Sequence, residues 1–197
     1  MKLNKSSDEV ANYLHCLGVL EERAASLYMI LAEKIEWPLV RSIVLRVAFD
    51  AEKHSAVLNG IVQSISTLKK PGSCAKNLKQ ALDSVSAMSK EIQRKGKVTE
   101  VDFASIEGQL NTLESVLGEE YSVIVDLETL RLIAGTLSEI YTIDVGNIGN
   151  TFLDIIRDED THMLLIAEIR RLFLATREKI DTTPLVKYQN PDAWAKF

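Results

Sequence analysis

Two histidines set the frame of this chain, because both fall mid-way along helical runs and both have acids beside them. Around the second the sequence reads Asp158-Glu159-Asp160-Thr161-His162, inside a run from Gly149 to Lys179; around the first it reads Asp50-Ala51-Glu52-Lys53-His54. Shifting the chain by the 108 positions that separate the two histidines lays Asp50 on Asp158, Glu52 on Asp160 and His54 on His162. The same shift carries Leu45, Val47, Val57, Leu58 and Ile61 onto Leu153, Ile155, Leu165, Ile166 and Ile169. The pattern is that of two copies of one helical hairpin. They part at one position: Ala51 stands where Glu159 would repeat.

Glu159 and His162 are three apart, so on a helix they share a face. Such a pair turned into a helical bundle delivers two ligands from one helix to a carboxylate-bridged metal site. A further acid lies on an apolar stripe, Val10, Leu14, Leu17, Ala24, Tyr28 and Leu31, which Glu21 interrupts. A carboxylate there needs a cation, a hydrogen bond or a proton, unless it sits at the edge of the stripe and reaches water. From Glu21 to the turn at Glu36-Trp37-Pro38, and from that turn to His54, is roughly 25 Å of helix each way. The two side chains are therefore expected at one level. In the second half Glu128 has the matching distance from a turn at Asp144-Val145-Gly146, whereas Glu120 continues the stripe of Leu113 and Leu117. Spacing selects Glu128 as the counterpart of Glu21, with Glu120 in reserve.

Few glycines and prolines interrupt the chain, which favours long helices. Ser6 and Glu9 are placed as a capping box for the first. Pro38 suits the first turn of the second, which is expected to run to about Thr67. Lys69-Lys70-Pro71-Gly72-Ser73 is the clearest break. An amphipathic helix over Ala75 to Lys95 follows, then a helix start at Thr99 with Asp102, and a run from Glu100 to about Thr142 whose length predicts a bend or break, with Gly118 one place for it. The expected organisation is all-α: two antiparallel helical hairpins over residues 1–181, a crossover at 68–99, and a tail at 182–197. The tail holds Tyr188, Trp194 and Phe197, which suit docking on the bundle or on a second subunit.

A net charge of −5 with dispersed lysines and arginines offers no basic stripe for nucleic acid. No run reaches the roughly 20 apolar residues of a membrane span, and the start lacks the apolar core of a signal peptide, so a cytoplasmic protein with no membrane partner is expected. Cys16 and Cys74 read as two separate reduced thiols, without the clustering of a zinc ribbon or an electron-delivering iron knuckle. Nothing builds a nucleophile elbow or a phosphate loop.

Glu21 with Ala24 and Tyr28, and Glu159 with His162, resemble the ferritin-like superfamily and within it the rubrerythrin-like proteins. The resemblance covers Val10 to about Lys179 in helix order. It implies a four-helix bundle with metal ligands Glu21, His54, Glu128 (or Glu120), Glu159 and His162, and Ala51 in place of a sixth. Three arrangements remain open at that gap. Asp50, four residues before His54, turns inward as a substitute; or one ion binds at Glu128, Glu159 and His162; or the acids and imidazoles pair without metal. The implied function is iron-dependent oxidation, or reduction of oxygen or peroxide, with one or two iron ions. Manganese and zinc are alternatives, and a metal-free helical scaffold is the competing reading. Tyr28 is either an auxiliary donor near the metal or a core aromatic. The resemblance further implies a homo-oligomer and an external electron donor.

Overall fold

A computed structural model of the chain describes residues 7–65, 72–125, 127–138 and 145–180. Ser6 of the expected capping box and the tail 182–197 lie outside the described residues. Six helices follow one another: α1 Ser7–Lys34, α2 Pro38–Ile65, α3 Lys76–Gln93, α4 Glu100–Ile124, α5 Leu127–Ser138 and α6 Val145–Ile180. The protein is all-α, with no strand among the described residues.

Each helix follows from local chemistry. α1 opens with Asp8 and Glu9 in its first turn and closes with Lys34 in its last, both favourable to the helix dipole. Pro38 begins α2, where its fixed φ and missing N–H cost nothing. Only Ile35, Glu36 and Trp37 join the two, so α1 and α2 pack as antiparallel neighbours. Arg41 locks this turn by donating from Nε to the Ala32 carbonyl at 2.9 Å. At α4, Thr99 and Asp102 form the expected capping box: the Asp102 N–H donates to the Thr99 hydroxyl, and the Thr99 N–H donates to Asp102 at 2.9 Å.

The apolar stripes of α1, α2, α4 and α6 close on a common core that includes Leu14, Leu31, Val47, Leu58, Leu110, Phe152 and Ile166. α3 lies along α1, and α4 and α2 each pack on α6. Trp37, Phe103 and Phe173 fill one end, with Phe173 4.9 Å from Trp37 and 5.5 Å from Phe103 between ring centroids. No described helix is long and apolar enough to cross a membrane.

Two expectations are corrected. The expected break in the long helix falls after Ile124 and not at Gly118: Val125 caps α4 by donating to the Tyr121 carbonyl, and α5 follows as a separate helix. Gly118 stays helical and faces Glu159, whose Cβ would lie 3.6 Å from an added methyl, an ordinary contact. The cysteines are not separate thiols: Cys16 and Cys74 form a disulfide with Cα atoms 5.6 Å apart, tying α1 to the segment before α3. Asn12 reinforces the tie, accepting from the Gly72 N–H at 2.6 Å and donating to the Ser73 carbonyl at 3.3 Å.

Candidate metal centre

Five ionisable side chains meet in the core: Glu21 from α1, His54 from α2, Glu114 from α4, and Glu159 and His162 from α6. All are buried, none more than 1% exposed. They form two groups whose ligand atoms lie within 4.8 Å of one another, Glu21 with His54 and Glu159, and Glu114 with Glu159 and His162. Glu159 belongs to both.

The two imidazoles point the same way about this centre. His54 Nδ1 lies 3.3 Å from Glu21 Oε1 and 3.1 Å from Glu159 Oε1, while His162 Nδ1 lies 2.9 Å from Glu114 Oε2 and 3.6 Å from Glu159 Oε2. Each Nε2 faces outward to the other helix's aspartate: His54 to Asp158 at 3.1 Å and His162 to Asp50 at 3.5 Å. Lys53 spans those aspartates, at 2.9 Å from Asp50 and 2.8 Å from Asp158. A second crossing lies on the opposite side. The Tyr121 hydroxyl of α4 donates to Glu21 at 2.5 Å, and the Tyr28 hydroxyl of α1 donates to Glu114.

Burial pulls the His54 pKa down, but the carboxylates of Glu159 and Glu21 outweigh it and hold the group up to about 10. His162 is likewise raised, burial being overcome by Glu114 and Asp50. Burial raises Glu21, with His54 opposing, and raises Glu159, where the charge of Glu21 adds to it. Burial and the neighbouring carboxylates push both tyrosines up, so the phenols stay protonated. Without metal the centre is a cluster of acids held together by protons on imidazole.

That cluster is incompletely satisfied. Glu21 Oε2, His54 Nδ1 and both oxygens of Glu159 face inward, and His162 Nε2 outward, all buried without a hydrogen-bond partner. His54 Nδ1 and Glu159 Oε1 are within ion-pair distance but misaligned for a hydrogen bond. Inward-facing atoms that do not bond one another are what a cation in their midst would satisfy. Three carboxylates and two imidazoles form an oxygen and nitrogen set suited to iron, manganese or zinc.

Of the residues singled out by spacing, Glu21, His54, Glu159 and His162 are brought together. The expectation that Glu21 and His54 share a level agrees with their 3.3 Å approach, and Glu21 does not reach water. Glu120 lies away from the centre, accepting hydrogen bonds from Tyr13 and Asn77. The Glu128 side chain lies outside the described residues. Asp50 turns to the outer nitrogen of His162 and to Lys53. Tyr28 serves Glu114, not Glu21. Sequence reasoning missed Glu114, although its +3 and +7 neighbours, Leu117 and Tyr121, repeat the spacing of Glu21, Ala24 and Tyr28. Comparison with family models, with curated proteins and with solved structures finds no match to this chain.

Proposed function

We propose that this chain is a metal-binding protein of the ferritin-like kind, holding one or two iron ions at Glu21, His54, Glu114, Glu159 and His162. Manganese and zinc suit the same donors. The observation that carries the reading is the pair of three-residue groups sharing Glu159, with buried inward-facing atoms that lack hydrogen-bond partners. Iron bound there would supply electron exchange with oxygen or peroxide, or be itself the species oxidised. The protein's part is to fix the donors. Asp158 orients His54 from behind by a hydrogen bond, Asp50 lies at ion-pair distance behind His162, and Tyr121 and Tyr28 hold one oxygen each of Glu21 and Glu114. The core excludes bulk water. Reducing equivalents come from an external donor, and the protein works as a homo-oligomer.

The competing reading is a metal-free helical scaffold. Two imidazoliums among three carboxylates are a serviceable buried charge cluster, and Ala51 is what a scaffold would carry. Elemental analysis after refilling with ferrous ion without oxygen separates the two. The metal reading expects about one or two irons per chain, lost in Glu159→Ala, and where two are bound Glu21→Ala or Glu114→Ala should leave about one. No iron in the unaltered protein leaves the scaffold.

A further inference from the structure

Resting on the metal reading, we propose that the position Ala51 leaves without a carboxylate takes a small monocarboxylate of acetate size, which completes the donor set opposite Glu159. Ala51 is buried, 2% exposed, and precedes His54 by three residues as Glu159 precedes His162, so its methyl faces the centre. Glu159 reaches both imidazoles, with Oε1 at 3.1 Å from one and Oε2 at 3.6 Å from the other. A carboxylate at the repeat-related position would span the same gap from the other helix. An alanine there lacks a methylene and a carboxylate, which together have the size of acetate.

Chemistry favours an anion over water in that place. The inner set holds three carboxylates and two imidazoles, so two divalent ions leave one positive charge unmatched within it, and a buried unmatched charge is costly. Glu21 Oε2 is left without a partner on the same hairpin. A surface cleft of about 520 Å³, bounded by Arg46, Phe49, Asp50 and Asp158, lies outside the centre on the side of those aspartates. Its two aspartates touch the histidines from outside, and Arg46 pairs with Asp50 at 3.9 Å.

The test titrates the full-length metal-free protein with cobalt(II), reading affinity and the visible cobalt spectrum, in buffers with and without acetate, formate or propionate. Acetate is expected to tighten cobalt binding by about 10-fold or more and to change the spectrum. Propionate should do neither. Ala51→Glu should bind cobalt tightly without acetate and ignore its addition. Ala51→Val, which fills the space without a donor and tests folding, should bind cobalt as the acetate-free protein does and also ignore acetate. Cobalt binding that acetate leaves unchanged overturns the subsite while the metal reading stands; an acetate effect that persists in Ala51→Val overturns its location. No cobalt binding under any condition overturns both.

Discussion

The α1/α2 hairpin and the α4/α6 pair contain the same parts, but only the second is complete. Each contributes a buried glutamate, a tyrosine seven residues on, an aspartate and a histidine four residues after it. Only α6 adds a glutamate three residues before its histidine, where α2 has Ala51, and only α1 is tied by a disulfide, to the start of the crossover. The difference teaches that one residue, Glu159, serves two triads. The first half relies on the second for its bridging acid, and has a covalent tie that the second half lacks.

That asymmetry can be broken or sharpened by experiment, beginning with the disulfide. Its cysteines are 58 residues apart, and closing a loop of that size removes unfolded-state entropy worth about 4 kcal/mol. Urea unfolding of Cys16→Ser/Cys74→Ser should show a loss of that order. A loss under about 1 kcal/mol would make the first half no more dependent on its tie than the second.

The next effect is on pH dependence. His54 has a folded pKa of about 10, raised above its unfolded value of 6.5. Its contribution to the stability of the metal-free protein is fully present below about pH 6.5, declines above it, and is gone once pH has risen through about 10. Thermal unfolding of metal-free protein should therefore show Tm falling from pH 7 to pH 10. His54→Ala should flatten the part of that fall due to His54, at a cost of about 3 kcal/mol near neutrality because the carboxylates lose their cation. An unchanged slope in the variant would mean the imidazole is neutral in the fold.

The smallest effects compare the two tyrosines. Glu114 keeps His162 as a partner at 2.9 Å when its phenol is removed, whereas the other oxygen of Glu21 already lacks one. Tyr121→Phe should cost about 2 kcal/mol and Tyr28→Phe about 1 kcal/mol in the metal-free protein. Equal losses by urea denaturation would mean that the two acids are equally well held. Metal loading should shrink both, since a bound cation holds the carboxylates itself.

Four of the five inner residues were legible because they obey helical spacing in unbroken helices. Glu159 and His162 share a face by their separation alone, and Glu21 and His54 are related by a short turn from which residues can be counted. Glu114 was not legible by that count. Measuring back from the turn near Asp144 assumes one straight helix, and the break after Ile124 followed by α5 invalidates the assumption. The repeat of tyrosine at +7 was the available signal. The disulfide had none, since its partners meet only through the path of the chain after α2. The aspartates were visible as framing acids, but their crossing to the opposite histidine depends on how α2 and α6 pass each other.

The crossed contacts also bear on when the chain can first hold an ion. Glu21 and Glu114 are each held by a tyrosine from the other half, and each histidine has an aspartate from the other half behind it. Neither hairpin alone presents a finished set of ligands. On the proposed metal reading, capture of an ion during synthesis would wait until both halves have docked, and an emerging or half-unfolded chain would have little with which to hold reactive iron in the open.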